Sequence, residues 1–313
     1  MKMWKKVVLI IAIVMLVVGL GLLLFPPISN LIGKQISKGQ TETFDNRANA
    51  VISEGSDADT GVTAKTFQQA LERKEVDKQG YPIDKNGNRT RQSPVLFAED
   101  LERLWNDSVA YNEDLKTTQG SRFLDSDSAI YSALDLWSYG ACDDIYGYVS
   151  APSIDMALPI YLGASDWNMS YGAAHMNNTS LPIGGKSTNA VVAGHTGYIG
   201  RIFFDNIRNL QIGDKVYVRN FWETLVYEVA ETYIVAKDES ENIFIHKGED
   251  LFTMLTCIPY NGEFGRYIVV CKRFGEAEEP TQTPAAATTA PTTAPVEQTT
   301  GQSTEPVTEQ PTE

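Results

Sequence analysis

The sequence predicts a mainly β domain, a closed barrel or a sandwich, tethered behind one membrane span and followed by an unstructured tail. Three observations predict it. From Tyr146 onward, short runs rich in valine, isoleucine and tyrosine recur between glycine, asparagine and aspartate, the texture of strands separated by turns. Residues 7–25 are nineteen residues without a charge, preceded by Lys2, Lys5 and Lys6, long enough to cross a bilayer. Beyond Phe274 the chain turns to Glu, Pro, Thr, Ala and Gln with no aromatic residue, a composition that buries too little apolar surface to offset its ordering entropy.

Taken in order, residues 1–6 are a basic cytoplasmic segment and residues 7–25 the anchor. Lysines ahead of the span and none within it place the N-terminus inside the cell and everything after it outside, as a single-pass protein of the cell membrane. A cleaved signal peptide is the competing reading. It wants a shorter apolar run and a small-x-small cleavage site, whereas Phe25-Pro-Pro-Ile-Ser-Asn30 follows here.

Residues 26–145 read as an extracellular region of helices and loops. A juxtamembrane helix is expected over 28–43, a loop over 55–61 and a charged helix over 66–78. Residues 81–88 form a turn cluster, whose acids and amides lack the spacing and paired helices of a calcium loop. Over 97–115, Leu101, Leu104, Trp105 and Val109 fall at helical spacing behind acids in the first turn, which predicts a helix. Residues 146–274 hold the β domain, with strands expected at 146–150, 158–162, 190–193, 215–219, 225–235, 251–257 and 266–272. A short helix is expected at 204–210. Residues 275–313 are the acidic Thr/Pro-rich tail, a glycosylated or wall-penetrating extension.

The formal net charge of −14 argues against a nucleic-acid partner, because phosphate binding needs a clustered basic face. From Glu276 to the end there are seven glutamates and no lysine or arginine, so half of the acidity belongs to the tail. Three cysteines are too few and too odd a number for an extracellular disulfide framework, and at least one thiol is free. Cys142 and Cys271 read either as a disulfide pair or as two small buried residues.

Chemistry concentrates at Cys257, which ends the apolar run Leu251-Phe-Thr-Met-Leu-Thr-Cys257 just before Pro259 and Asn261-Gly262. A thiol at a strand end is open to a groove, and a nearby cation would favour its thiolate. Arg266 begins the next strand, and an antiparallel return sets it beside Cys257. Alternation then puts Arg266, Ile268 and Val270 on one face and Tyr267, Val269 and Cys271 on the other, so Arg266 shares a face with Cys257 and Cys271 does not. Of the three histidines, His246 lies in a polar turn and His175 has no activating neighbour. His195 follows an apolar strand between Gly194 and Gly197, which permits close approach of a ligand. No His, Cys and carboxylate set has metal-ligand spacing, and no cofactor is expected.

These residues resemble the sortases, and within them the class C, pilin-polymerising members. Sortases carry a Thr-Leu-x-Thr-Cys strand followed by an arginine, with a histidine well upstream; Thr253-Met-Leu-Thr-Cys257, Arg266 and His195 match. Cys257-Ile-Pro-Tyr260 resembles the class C Cys-Thr-Pro-Tyr. Leu158-Pro-Ile-Tyr-Leu-Gly163, Thr179-Ser-Leu-Pro-Ile-Gly-Gly185, Leu210 with Gly213-Asp214-Lys215, and Phe25-Pro-Pro-Ile-Ser-Asn30 also fit. The resemblance covers residues 1–40 and 105–273. Residues 45–98 have no counterpart, and many class C members carry a second, C-terminal span that this sequence does not match.

The resemblance implies an eight-stranded β-barrel with its site in a groove. Cys257 would attack the Thr-Gly bond of an LPXTG-like sorting signal to form a thioester, which an amine resolves. His195 would move the protons, Arg266 would hold the substrate backbone or the oxyanion, and Thr256 would support the groove. The implied partners are LPXTG-bearing surface proteins or pilins and an amine acceptor, either a pilin lysine or a peptidoglycan precursor. Class C members often carry an Asp-Pro-aromatic lid whose aspartate meets the arginine and whose ring covers the cysteine. Asp135-Leu-Trp137 is the expected counterpart, with leucine in place of proline. Leu181-Pro-Ile-Gly-Gly185 looks like a sorting signal but has no apolar span and basic tail after it, so it reads as scaffold. A different reading is a non-catalytic surface module, with the barrel as a binding domain and the tail as its stalk.

Overall fold

The computed structural model describes residues 2–53, 60–122, 126–198, 201–236, 239, 243–260 and 263–275. Eight strands form a closed barrel: β3 (Ile145–Ala151), β4 (Met156–Leu162), β5 (Ala173–His175), β6 (Thr188–Ala193), β7 (Lys215–Asn220), β8 (Thr224–Ala236), β9 (Asp250–Tyr260) and β10 (Glu263–Arg273). Around the barrel the order is β10, β8, β7, β3, β4, β5, β6, β9, and β9 closes on β10. All pairs are antiparallel except β4 with β5 and β6 with β9. Closure leaves no free sheet edge, which is how a β domain avoids edge-to-edge association.

The pattern that marks the strands also fills the barrel. In β7, Val216 and Val218 are buried while Lys215, Tyr217 and Arg219 are half-exposed. The interior collects Val149, Leu158, Ile160, Val192, Leu225, Phe252, Met254, Val269 and Cys271. A second apolar layer lies on the outer face of β6, β9 and β10, where Val191, Ala193, Leu251, Leu255, Ile268 and Val270 meet Ile243. Each of these strands is therefore apolar on both faces. The strand missing from the sequence reading is β5, three residues long and too short to show a period.

Four short elements surround the barrel together with a long N-terminal helix. These are β1 (Val51–Ile52) paired in parallel with β2 (Leu96–Phe97), α2 (Phe67–Glu72) and α4 (Asp166–Met169). The expected 66–78 helix contracts to α2 because Lys74 takes a left-handed φ of 58°. The Glu75 carboxylate then turns back to accept from the amides of Thr63 and Ala64, both at 2.9 Å. α3 (Ala98–Arg122) is longer than predicted and buries Leu101, Leu104, Trp105, Ser108, Asn112, Leu115 and Gln119 along one side. Its added turns are secured by polar bonds to the barrel: Gln119 donates to the Asn178 carbonyl at 3.0 Å and accepts from the Ile245 amide at 2.8 Å.

The anchor and the expected juxtamembrane helix form one element, α1 (Lys2–Ala48), which continues through Pro26 and Pro27. Its first part is long and apolar enough to cross a membrane. Its last part docks along β3 and β4, and that contact extends the helix past the expected end. Arg47 is fully buried there: it pairs with Asp143, donates to the Ile145 carbonyl at 3.1 Å and lies over the adjoining rings of Phe44 and Phe221. Gln40 reaches the Tyr161 hydroxyl at 2.7 Å and Asp45 accepts from that of Tyr148 at 3.1 Å. Most of the 55–61 loop and the tail beyond residue 275 lie outside the described residues.

β3 shifts register between Ile145 and Gly147, where it pairs with both β4 and β7. A Cβ on Gly147 would lie 2.2 Å from the Arg219 carbonyl oxygen, so any side chain there pushes two bonded backbones apart. Gly147→Ala is expected to cost about 2–3 kcal/mol, lowering the melting temperature of the folded domain by roughly 5–10 °C, read by circular dichroism.

Candidate active site

The register of β9 assembles the site. Arg266 stands directly opposite Cys257 in the antiparallel β9–β10 pair, so their side chains leave the sheet on the same side. On the other edge of β9, Ala193 is level with Leu255 in parallel pairing, and His195 follows two residues beyond the end of β6. The two neighbours of β9 thus carry Arg266 on one side and the loop with His195 on the other. Because Phe252, Met254 and Thr256 point into the barrel, Cys257 points outward with Leu255, Ile268 and Ala193. Cys257 is exposed, and His195 and Arg266 are half-buried.

The loop that carries His195 is held from several directions. Gly194 donates to the Leu255 carbonyl at 3.1 Å and the Phe204 amide donates to the His195 carbonyl at 3.0 Å. A Cβ on Gly194 would sit 2.7 Å from the Phe204 ring, so only glycine lets the chain turn off β6 here. Thr256 is buried, and its hydroxyl donates to the Gly194 carbonyl at 2.7 Å. It therefore acts from inside the barrel, fixing the backbone next to His195. The Asp205 carboxylate accepts from the Gly197 amide at 2.7 Å and the Phe203 amide at 3.1 Å. The Tyr198 ring stacks on the imidazole, with centroids 5.4 Å apart and planes 13° from parallel. The sequence pointed to Thr256 as a support but not to Tyr198, Phe204 or Asp205, whose contacts with the loop arise only from its fold.

The other histidines are spoken for. His175 is fully buried, 2.9 Å from the Ser180 carbonyl through Nε2, and burial pushes its imidazole down to about 4, so it stays neutral at physiological pH. His246 is exposed, with Nδ1 3.0 Å from Glu249. Among the described residues no group of three or more His, Cys, Asp and Glu is placed to hold a metal.

Asp135 and Trp137, the expected lid residues, lie at the start of a 3-10 turn ahead of β3. Asp135 accepts from the amide of Trp137, capping its own 3-10 turn at 3.2 Å, and no salt bridge links it to Arg266 among the described residues. Leu136 and Tyr139 bury the turn in the cluster that holds Trp105 and Phe44. The segment that leans on the β4–α4 and β5–β6 connections is Ser126–Ile130, whose Ala129 carbonyl accepts from Ala164 and Asn177 at 3.0 and 3.2 Å.

Cys142 and Cys271 are both free. Cys271 lies buried inside the barrel and Cys142, half-buried, beside the outer cluster of Phe67 and Val76, so the two thiols stand apart and form no disulfide. Burial raises both thiols, Cys142 to about 12 and Cys271 further.

Residues 149–274 match the family model of the sortase domain. Sortase A of Bacillus anthracis is 30% identical over 125 residues, which cover 40% of this chain and 58% of that protein. Sortase D of Bacillus subtilis (strain 168) is 25% identical over 130 residues, covering 41% and 63%. The chain thus spans less than two thirds of the length of these curated relatives. The pilus-related sortase C of group B Streptococcus is similar in structure, with a TM-score of 0.49, 31% identity, and coverage of 57% of this chain and 92% of that one.

The three thiols differ enough to be told apart. A maleimide at neutral pH should place one label on the folded protein, at Cys257, with Cys142 and Cys271 labelled only after denaturation; peptide mass spectrometry reads the sites, and early labelling of Cys271 would contradict the barrel interior.

Proposed function

We propose, on the match of residues 149–274 to the sortase domain, that the chain is a membrane-anchored cysteine transpeptidase of the sortase family that cleaves an LPXTG-like sorting signal between Thr and Gly and passes the acyl group to an amine, a lysine of a pilin subunit. The observation that carries this reading is the register that sets Arg266 opposite Cys257 on one side of β9 and aligns, on the other, the strand whose following loop bears His195. The apolar outer layer beside the thiol, with Leu255, Ile268 and Val235, offers a floor for the leucine and proline of such a signal.

In the first half-reaction the Cys257 thiolate adds to the threonine carbonyl carbon, and Arg266 steadies the negative charge on its oxygen. The C–N bond breaks as His195 delivers a proton to the departing glycine amine, leaving a thioester. In the second half the acceptor amine adds to the thioester carbonyl, His195 removes its proton, and the C–S bond breaks to restore the thiolate. Thr256 keeps the His195 loop in place throughout. The basic N-terminal segment remains in the cytoplasm and the barrel works outside.

Transfer to an amine of a peptidoglycan precursor is the alternative within the same chemistry. A binding module without catalysis has no use for the trio in one register. Incubation with a labelled LPXTG peptide should yield a thioester adduct on Cys257, absent from a Cys257→Ala variant that melts at the wild-type temperature. Arg266→Ala should reduce kcat/KM by about 10²–10³. An adduct on the alanine variant, or none on the wild type, refutes the enzyme; preferential release by a peptidoglycan amine over a pilin lysine selects the alternative acceptor.

A further inference from the structure

A groove of about 600 Å³ runs between the outer part of α1 and the barrel, lined by α1 residues from Pro27 to Lys38, by the β3–β4 turn, and by Ile202 and Phe203 of the loop that follows His195. Its place along the chain fixes its surroundings. No charge occurs between Lys6 and Lys34, and about 20 residues of helix suffice for the hydrocarbon layer. The turns of α1 from Pro27 to Lys34 therefore emerge through the headgroup layer, and the groove opens at that depth.

The groove has two chemistries. Leu31 and Ile202, 60% and 47% exposed, present apolar surface. Lys34 and Lys38 stand at the rim, and although Lys34 pairs with Asp155 and Lys38 lies 3.6 Å from Glu42, their side chains remain 57% and 66% exposed. An acyl chain against the first set and a phosphate between the second describe one molecule already present at that depth. We propose that this groove is a binding site for an anionic phospholipid of the leaflet from which α1 emerges, and that the bound lipid braces the loop bearing His195.

The brace follows from contacts. Phe203 lines the groove and meets Tyr198 edge to face at 5.4 Å, and Tyr198 stacks on the His195 imidazole. Lipid packed on exposed Ile202 restrains the adjoining, buried Phe203 and with it the aromatic pair on which the histidine rests. The lipid site rests on the membrane-spanning reading of α1, and the brace additionally on the transpeptidase reading.

The full-length chain, reconstituted in nanodiscs holding equal phosphatidylglycerol and phosphatidylcholine, then released into mild detergent, should retain one phosphatidylglycerol by native mass spectrometry. Lys34→Gln and Lys38→Gln should each weaken that retention about fivefold, and Ile202→Asn should weaken it without changing the headgroup preference. No retained lipid, equal retention of both headgroups, or undiminished retention in the double lysine variant overturns the site. This measurement needs no turnover, so a chain that keeps its lipid but forms no thioester sinks the transpeptidase and leaves the lipid site standing. For the brace, thioester formation with a soluble peptide should be faster in phosphatidylglycerol than in phosphatidylcholine discs, a difference that the double variant abolishes; equal rates in the wild type overturn the brace.

Discussion

The register of β9 between β6 and β10 is the constraint on which the site depends. Pairing Cys257 with Arg266 and Leu255 with Ala193 decides at once which atoms face the solvent and which face the barrel interior. A slip of one residue would turn Cys257 inward and bring Thr256 outside, because side chains alternate with a period of two. The register is protected by apolar residues on both faces. Phe252 and Met254 fill the interior while Leu251 and Leu255 lie under the outer layer, so no shifted pairing buries both sets. Packing far from the thiol thereby holds Cys257 and Arg266 opposite one another on the outer face.

Much of this was legible in the sequence because it is written in local patterns. The alternation of Arg266, Ile268 and Val270 against Tyr267, Val269 and Cys271 gives the two faces, and the apolar run into Cys257 gives the strand end. Family motifs supplied the closed barrel. What escaped was decided by contacts between distant segments. β5 has three residues and exists because the end of β4 and the end of β6 take it in between. The lid residues show the same limit: Asp135 has the right residue type, but the contact found for it is the amide of Trp137 within its own turn. Composition alone does not say which of two partners an aspartate will choose.

The N-terminal helix shows the same competition between local and distant terms. Two consecutive prolines would ordinarily end a helix or cost it several kcal/mol, and a break there was the natural expectation. The outer part of α1 is instead held by the barrel through Arg47, Gln40 and Asp45. Arg47 is the costly member of this set. Removing one partner of a buried ion pair leaves an uncompensated charge worth about 3–5 kcal/mol, so the contact tolerates little variation in geometry. The aromatic rings of Phe44 and Phe221 around the guanidinium add to its fit.

With α1 read as the membrane span, a domain clamped to it in this way does not swing on a leash. Its height and tilt over the lipid are fixed by a rod, and its remaining freedom is to drift within the plane and to spin about the axis of that rod. Encounters with other proteins moored in the same sheet then follow crowding per unit area, not per unit volume. They succeed only for partners that present their chain at the height of the thiol.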